Sequence, residues 1–574
     1  MAQVVKKKKK KLGGRATGSS TSGKKVTPLR PYCNPQTPPC IPGCPIGNDA
    51  RGAVAFVGTT EACGRTPEQS FEQGFQIFAR TNPFPAITGR LCTACCELEC
   101  NRQHKDGSVN INKVERFLGD YAVENKLGFT RPTEKQDGKV AVIGSGPSGM
   151  TCAYHLVLRG WQVTVFEAAA RPGGFLRYVP AFRLPPEVLE REIQRILELG
   201  VELRTGVTVG KDVSLEQLQQ EYKTVYVAVG AHGDRIKVRG PWAADNSMTG
   251  VELFGRINGG EKVDLGDSVV VLGGGDAALD AARACKRLGA RATIVYRRTR
   301  EDMPALPFDV VQAEAEGVGF EFLAGPQQLV KEGSRGVKLI CQRLKPGVKE
   351  GSGRRRPVAT GEVVELPFTT LIQGQIQEPD YADPLARVGL ELGRRRINGK
   401  VKVDVGLFGG GDANKLGHVT VAIAKGLGAA RQIDAELRCF IPERPGGARG
   451  PELRGEEYKA PEQPPLILHD KVKMDWYEPS DRRSLGVIPV EERSSDREVN
   501  TGLSREDVLG EAKRCFSCGM CMDCDNCWMY CQDQAVDKLG KDLPVGEHYK
   551  YKYDLCTGCE KCAEECPCRY LEMR

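Results

Sequence analysis

A glycine-rich turn near residue 144 constrains the fold of this 574-residue chain more than any other feature. The apolar run "KVAVI" (139–143) predicts a buried parallel strand, and "GSGPSGM" follows it as a turn into a helix. A second strand, "VTVFE", ends at the spacing where an acid takes the ribose hydroxyls of a dinucleotide. The pyrophosphate of such a ligand rests on the helix N-terminus. The predicted dinucleotide contacts are Gly144, Gly146, Gly149 and Glu167.

A second turn of the same type follows the strand "SVVVL" (268–272) as "GGGDAALDAA". Its second strand ends in "YRR" rather than in an acid. Arginines form charge-assisted hydrogen bonds with a 2′-phosphate, which favours NADPH over NADH at this site. The alternative is that these arginines are a solvated strand end. The predicted contacts are Gly273, Gly275, Ala278, Arg297 and Arg298.

Charge is unevenly distributed along the chain. The formal net charge is +8, but residues 1–30 hold ten Lys or Arg and no acid, which leaves −2 on the remainder. We expect residues 1–30 to be a solvated tail or an electrostatic arm for an acidic partner, and we expect no nucleic-acid binding by the body. No apolar run reaches the roughly 20 residues of a membrane span, and the N-terminus lacks the apolar core of a signal peptide. The sequence therefore predicts a cytoplasmic protein without a membrane span.

The 23 cysteines are concentrated at the two ends of the chain. Eight lie between Cys33 and Cys100, and eleven lie between Cys515 and Cys568. In a long cytoplasmic chain such clusters favour metal ligation over disulfides. The other four are expected to be inert buried thiols: Cys152, Cys285, Cys341 and Cys439.

The C-terminal cysteines have bacterial ferredoxin spacing. "CTGCEKCAEECP" is a C-x2-C-x2-C-x3-C-P run, and "CMDCDNCWMYC" repeats it with Gln532 in place of the proline. In two-cluster ferredoxins the fourth cysteine of each run ligates the other cluster. Cys515 and Cys518 allow another register, in which they form the first triplet with Cys521, and a structural zinc ribbon is a further alternative. The predicted ligands are Cys521, Cys524, Cys527 and Cys566 for one cluster, and Cys531, Cys556, Cys559 and Cys562 for the other.

The N-terminal cysteines lie in "CNPQTPPCIPGCP" and "GRLCTACCELEC", ahead of "VNINKVERF". Such clustering fits iron-sulfur clusters better than tetrahedral zinc. The segment resembles the N-terminal domain shared by the small subunit of glutamate synthase and dihydropyrimidine dehydrogenase, which implies a helical module with two 4Fe-4S clusters. The resemblance implies one ligand set of Cys44, Cys92, Cys96 and Glu115, and another of Cys40, Cys100 and Cys33, with Cys95 and Cys63 as further candidates for its fourth ligand.

Two further stretches resemble the flavin-binding motifs of the same family. "RPGGFLRYVPAFRLP", after the second strand, implies that Gly174 and Arg183 lie near FAD. "VGLFGGGDANKLGHVTVAIAKG" implies FAD contacts from Gly411, Asp412 and Thr420. In this family the NAD(P) domain is inserted into the FAD domain, and "LIQGQ" (371–375) stands where the chain returns to the flavin.

Together the motifs predict an α/β fold with two nested Rossmann-like nucleotide-binding domains, an N-terminal α-helical iron-sulfur domain and a C-terminal α+β two-cluster ferredoxin domain. The expected cofactors are FAD, NAD(P)H and four 4Fe-4S clusters. The expected boundaries are 1–30 for the basic tail, 31–135 for the helical domain, 136–255 and 396–438 for the FAD domain, 256–395 for the NAD(P) domain, 439–505 for a linker and 506–574 for the ferredoxin domain.

The whole arrangement resembles NAD(P)H iron-sulfur flavoprotein oxidoreductases, and the appended ferredoxin resembles that of the DsrL proteins associated with dissimilatory sulfite reductase. This resemblance implies an enzyme that transfers electrons between NAD(P)H and a protein acceptor, of the sulfite reductase type or the glutamate synthase large-subunit type. A glutamate synthase small subunit or a ferredoxin:NAD(P) oxidoreductase subunit is the alternative within the class. A nucleotide-binding scaffold and a thiol-disulfide reductase are alternatives outside it. No acid-base residue is assigned, and a homodimer would be a common assembly.

Overall fold

The computed structural model describes residues 26–130, 132–231, 246–332, 336–351, 353–374, 388, 406–413, 416–439, 464–539 and 547–574. Most of the basic tail, residue 375 of the return stretch and the boundaries expected near 395 and 440 lie outside these residues. The predicted α/β fold with Rossmann-type sheets and an N-terminal iron-sulfur domain is confirmed.

The N-terminal domain is helical because its apolar residues recur at helical spacing. Phe71, Phe75 and Phe78 share one face of its second helix and are fully buried. That helix begins with a capping box between Thr66 and Gln69 and has Pro67 at its first turn. The elements are β1 (Pro31–Cys33), α1 (Ala50–Gly58), α2 (Pro67–Ala79), α3 (Pro85–Leu91), α4 (Cys95–Leu98) and α5 (Ile111–Glu124).

The first nucleotide-binding sheet has five parallel strands in the order β14-β5-β2-β3-β4. Its central strands are continuous apolar runs, as expected for a sheet covered on both faces. The elements before the insertion are β2 (Lys139–Ile143), α6 (Pro147–Val157), β3 (Gln162–Glu167), α7 (Pro186–Leu197), β4 (Glu202–Thr205), α8 (Leu215–Glu221) and β5 (Thr224–Val227).

The inserted unit has a second parallel sheet, in the order β6-β13-β7-β8-β9, and a three-stranded antiparallel sheet, β10-β11-β12. Its elements are β6 (Ser247–Thr249), α9 (Gly250–Asn258), β7 (Ser268–Leu272), α10 (Asp276–Arg287), β8 (Arg291–Tyr296), α11 (Pro307–Ala315), β9 (Gly319–Phe322), β10 (Ala324–Glu332), β11 (Gly336–Lys349), β12 (Arg355–Phe368) and β13 (Thr370–Gln373). The first sheet is then completed by β14 (Leu407–Gly409) and covered by α12 (Val419–Cys439).

The C-terminal part joins both ends of the chain. Strand β1 pairs antiparallel with the last strand, so that Cys33 lies opposite Leu571. The connector contributes Ile488 and Val499 to the core of the inserted unit and Tyr477 to the core of the ferredoxin domain. The elements are β15 (Gly486–Val487), β16 (Asn500–Gly502), α13 (Arg505–Ala512), α14 (Asn526–Met529), β17 (Val536–Lys538), β18 (Tyr549–Tyr551), α15 (Lys561–Glu564) and β19 (Leu571–Met573).

A buried charge cluster fixes the connector to the inserted unit. Glu316 accepts hydrogen bonds from Arg283, Arg287 and Arg493, and all four side chains are at most 6% exposed. The guanidinium groups of Arg283 and Arg287 outweigh the effect of burial and lower the pKa of Glu316 to about 2. Because removing one partner of a buried ion pair costs about 3–5 kcal/mol, this cluster holds the connector in one position. Among the described residues, none of the helices has the length and apolar character to cross a membrane.

Candidate cofactor and cluster sites

The first glycine turn combines one open side with two crowded sides. Gly144 has a φ of +102°, and a Cβ there would lie 2.4 Å from the carbonyl oxygen of Ala228. A Cβ on Gly149 would lie 1.9 Å from the carbonyl oxygen of Gly144, so this position holds α6 close to β2. At Gly146 the nearest atom to a Cβ would be Gly174 Cα, at 3.9 Å. The N-terminus of α6 therefore has space in front of it, where a pyrophosphate would bind.

Glu167 is held at the end of β3, beside this turn. Its Oε2 atom accepts hydrogen bonds from the backbone N–H of Ser145, at 2.9 Å, and from the Ser145 hydroxyl. Its Oε1 atom accepts from the N–H of Ala169 at 2.8 Å. A carboxylate has about four acceptor positions, so Glu167 keeps capacity for a ribose hydroxyl.

The second flavin motif reaches the same turn from the other side. A Cβ on Gly411 would lie 3.2 Å from Ser148 Cβ, and Gly426 of α12 lies against the backbone of Ser148. Burial raises the pKa of Asp412, whose Oδ1 accepts the N–H of Gly417 at 3.2 Å. Thr420 is buried in the first turn of α12. The structure thus brings Gly411 and α12 to the N-terminal end of α6.

Arg183, which is predicted to lie near FAD, forms ion pairs with the inserted unit. Its guanidinium forms ion pairs with Asp280 of α10, at 2.8 Å, and with Asp309 of α11, at 3.0 Å. These two carboxylates outweigh the effect of burial and raise its pKa. Arg183 therefore joins the flavin-domain loop to the inserted unit.

A cavity of about 190 Å³ lies where the N-terminal domain meets both nucleotide-binding units. Its lining includes Cys92 and Lys113 from the N-terminal domain, Arg183, and Asp309 from the inserted unit. Burial lowers the pKa of Lys113 to about 8. The cavity thus connects a cysteine predicted to bind a cluster with the residues that join the two nucleotide-binding units.

The second glycine turn repeats the geometry of the first. Gly273 has a φ of +136°, and its Cβ would lie 2.9 Å from the carbonyl oxygen of Gly374. Ala278 packs against Gly374, where a Cβ would lie 2.6 Å from the Ala278 methyl. At Gly275 the nearest atom to a Cβ would be Pro304 Cγ, at 3.9 Å. The open side of this turn again lies at a helix N-terminus.

The two arginines after β8 differ in exposure. Arg298 is buried, and it donates to the carbonyl oxygen of Arg355 at 2.9 Å and to Glu350 at 3.3 Å. Arg297 is exposed. Arg298 therefore supports the β11–β12 hairpin, and Arg297 is the better candidate for a 2′-phosphate contact.

The first N-terminal ligand set is brought together. Cys44, Cys92 and Cys96 act electrostatically on one another and on Glu115. Burial raises the pKa of the Cys92 thiol to about 12 and that of the Glu115 carboxyl to about 7. Asn48, Asn82 and Thr88 donate hydrogen bonds to Glu115, and all three bonds end on Oε1. Three thiols and one oriented carboxyl suit an iron-sulfur cluster with one oxygen ligand.

The second N-terminal set differs from the sequence expectation. Cys40 and Cys100 line a cavity of about 30 Å³ together with Cys515 and Cys518. Burial raises the pKa of Cys515 to about 11 and that of Cys518 to about 12. The group therefore has four thiols, two from each end of the chain.

Cys33 lies outside this group because β1 pairs with β19. It contacts Tyr570 and lies near Cys566 in the ferredoxin domain. Cys63 is also elsewhere, beside Asp523 and His548, and Cys95 has the hydroxyl of Thr93 at 3.3 Å. Cys515 and Cys518 form a Cys-x2-Cys pair ahead of eight cysteines that already complete the two-cluster ferredoxin pattern. This surplus pair was the sequence signal that they bind elsewhere.

The ferredoxin cysteines meet in two groups that cross over between the runs. Cys568 lies beside the first group as an additional thiol, with its Sγ 3.8 Å from that of Cys566. Cys559 of the second group is exposed. The first group contains Cys521, Cys524, Cys527 and Cys566, and the second contains Cys531, Cys556, Cys559 and Cys562.

The isolated cysteines of the nucleotide-binding units are buried. Cys152, Cys285 and Cys341 have exposed fractions of 0%. Burial raises the pKa of Cys285 to about 12, which keeps it a thiol rather than the reactive thiolate. The side chain of Cys439 lies outside the described residues.

Two family models match the chain. The model described as pyridine nucleotide-disulphide oxidoreductase matches residues 138–426. The model described as dihydropyrimidine dehydrogenase domain II, 4Fe-4S cluster, matches residues 31–127. The first match includes both glycine turns, and the second includes both N-terminal cysteine motifs.

Curated relatives align along most of the chain. The NADPH-Fe(3+) oxidoreductase subunit beta of Geobacter sulfurreducens is 30% identical over 539 residues, which is 87% of this chain and 77% of that protein. The NADP(+)-dependent formate dehydrogenase subunit beta of Moorella thermoacetica is 33% identical over 521 residues, 84% of this chain and 70% of that protein. The glutamate synthase [NADPH] small chain of Azospirillum brasilense is 31% identical over 430 residues, 69% of this chain and 86% of that protein.

Proposed function

Because the chain belongs to the pyridine nucleotide-disulphide oxidoreductase family, and is an NAD(P)H-dependent oxidoreductase with FAD and at least one 4Fe-4S cluster, we propose that it exchanges electrons between NADPH and a separate redox protein through four clusters. The observation that carries the proposal is the arrangement of sixteen candidate ligands in four groups of four. One of these groups takes two cysteines from each end of the chain.

The four groups form a continuous series because neighbouring groups are joined by short stretches of chain. Cys96 and Cys100 are four residues apart, and Cys518 and Cys521 are three apart. An extended chain spans at most about 3.6 Å per residue, so the two Cα atoms of the first pair lie within about 14 Å of each other. Those of the second pair lie within about 11 Å. Cys527 and Cys531 join the two ferredoxin groups in the same way. The series therefore runs from the cavity beside Cys92 to the ferredoxin domain.

The residues of the chain position the cofactors. Gly146 and Gly275 keep two helix N-termini open for pyrophosphate groups, and Glu167 offers a carboxylate for a ribose. Bound FAD would supply the exchange between two-electron hydride chemistry at the nicotinamide and one-electron chemistry at the clusters. Among the described residues we assign no acid-base group, since hydride exchange depends on the relative position of the two rings.

Arg297 and the relatives favour NADPH as the nucleotide. Arg297 is exposed at the end of β8, where an adenosine 2′-phosphate would lie. The Geobacter and Moorella relatives are named for NADPH and NADP(+). We therefore propose NADPH in preference to NADH.

The exposed Cys559 places the last group at the protein surface. We propose that the redox partner docks there, and that it is an acceptor of the sulfite reductase type, as the resemblance of the ferredoxin tail suggests. A glutamate synthase large-subunit type of partner is the second candidate, because one relative is a glutamate synthase small chain. The relatives named as beta subunits also support a function in a complex.

Anaerobic reduction of the purified protein tests the proposal. On mixing with NADPH, the flavin absorbance should bleach first and the broad iron-sulfur absorbance should fall afterwards. NADH should act more slowly at the same concentration. Dithionite, which reduces both kinds of group without a nucleotide, serves as the control. A flavin that responds to dithionite and to neither nucleotide would refute the function.

The shared cysteine group gives a separate test. We expect Cys518→Ser to lose iron and acid-labile sulfide, because one of four thiols in a buried group is removed. Cys33→Ser should keep the iron content of the wild type, since Cys33 lies outside the four groups. Iron and sulfide assays on both variants make the comparison. Iron loss in Cys33→Ser with none in Cys518→Ser would reverse the assignment.

A further inference from the structure

Three side chains outside the four cysteine groups meet between the two iron-sulfur domains. Cys63 lies in the turn after α1, Asp523 lies between two ferredoxin cysteines, and His548 precedes β18. Cys63 is 6% exposed, and the side chains of Asp523 and His548 are 7% and 9% exposed. One ligand atom from each residue lies within 4.8 Å of the other two. No other set of three such residues has its ligand atoms this close together among the described residues.

A thiol, a carboxylate and an imidazole are the three ligand types that zinc takes in proteins. The Asp523 Oδ2 atom and the His548 Nδ1 atom are 3.1 Å apart. Two ligands on a tetrahedral zinc, with bonds of about 2.0–2.1 Å, are separated by about 3.3 Å. The carboxylate and imidazole therefore already have the spacing of two zinc ligands.

The buried Oδ2 atom of Asp523 accepts no well-directed hydrogen bond, and the Nδ1 atom of His548 lies at an ion-pair distance of 3.1 Å from it. Burying a carboxylate oxygen that accepts no hydrogen bond destabilises the fold, unless a cation or a well-directed donor satisfies the oxygen. The guanidinium of Arg65 acts on Asp523 electrostatically, but it donates to Phe56 and Thr59. A metal ion would satisfy the oxygen directly.

We propose that Cys63, Asp523 and His548 bind one zinc ion, with the fourth position open to water. The ion joins the N-terminal helical domain, through Cys63, to the ferredoxin domain, through Asp523 and His548. It fixes the two domains whose cysteines share a cluster group. Its water ligand completes the tetrahedral shell that zinc prefers.

Zinc analysis and zinc-edge X-ray absorption on the full-length protein, purified anaerobically from zinc-supplemented medium, test the proposal. The wild type should contain one zinc per chain, with one sulfur at about 2.3 Å and nitrogen or oxygen at about 2.0–2.2 Å. Cys63→Ser and His548→Gln should lose the zinc and keep the iron and the flavin. Cys285→Ala, which removes a buried thiol from α10 of the inserted unit, should keep all three.

Three results would overturn the site. The first is wild-type protein without zinc, and the second is zinc that both variants retain. The third is a zinc shell of four sulfurs, which would mean zinc in a cysteine group. The absorption measurement needs no variant, so it decides the question even if a substitution prevents folding. The iron content, measured on the same samples, distinguishes a missing zinc site from a failure of the proposed clusters.

Discussion

Gly146→Ala should give a folded protein that has lost most of its flavin. Gly146 precedes α6 with a φ of −67° and a ψ of 177°, a conformation that alanine adopts without strain. The new methyl would lie 3.9 Å from Gly174 Cα and would meet no closer atom of the protein. It would instead occupy the space in front of the helix N-terminus, where the FAD pyrophosphate must approach the backbone.

An overlap of this kind costs about 2 kcal/mol, which corresponds to about a thirtyfold weaker affinity. The measurement is the ratio of flavin to protein after purification, with NADPH oxidation falling in the same proportion. The iron content should stay at the wild-type level, because the cysteine groups do not include this turn.

Gly428→Ala and Gly149→Ala are the matched controls for Gly146→Ala. Gly428 lies in the interior of α12, and a Cβ there would have no neighbour within 4 Å. Its substitution should leave the flavin in place and should stabilise the helix by about 0.5–1 kcal/mol. A Cβ on Gly149 would collide with backbone, so this variant should lose the fold as well as the flavin. Full flavin content in Gly146→Ala would show that the dinucleotide does not lie on α6.

Local sequence patterns predict much of the fold and part of the candidate site. The two glycine turns and the ferredoxin cysteine runs are short motifs whose geometry depends on neighbours within about 30 residues. The structure has β2, α6 and β3 where the motif predicts them, and it groups Cys521, Cys524 and Cys527 with Cys566. That these residues bind cofactors stays a prediction.

The misplaced residues depend on contacts between distant parts of the chain. Cys33 was expected beside Cys40, but β1 pairs with β19, which lies more than 500 residues away in sequence. The same docking of the two ends brings Cys515 and Cys518 to Cys40 and Cys100. Cysteine spacing within one segment contains no information about which other segment packs against it.

The protein partners of two predicted ligand-binding arginines also depend on distant parts of the chain. Arg183 and Arg298 match their motifs in position, yet the fold supplies each with protein partners, Asp280 for the first and Glu350 for the second. Buried arginines need such partners because an uncompensated buried charge is costly. A motif shows that an arginine is present, whereas the fold decides whether its side chain is left for a ligand.

Gly275→Ala should have the opposite effect to Gly146→Ala, because it blocks the nicotinamide nucleotide and spares the flavin. Gly275 precedes α10 with a φ of −95° and a ψ of 174°, and its Cβ would lie 3.9 Å from Pro304 Cγ. Alanine therefore fits the protein, while its methyl enters the space for the second pyrophosphate. An overlap costing about 2 kcal/mol should raise the KM for NADPH about thirtyfold.

The variant should be purified with wild-type flavin and iron, and dithionite should still reduce both. Stopped-flow reduction by NADPH over a range of concentrations measures the change, with Gly146→Ala as the reciprocal control. Gly275→Ala could instead lose flavin, while the flavin that remains responds to NADPH as in the wild type. That result would mean that FAD binds at the second turn and NADPH at the first. If the variant matched the wild type in both respects, the nucleotide would bind away from α10. The pair of variants thus assigns one dinucleotide to each turn independently of the identity of the redox partner.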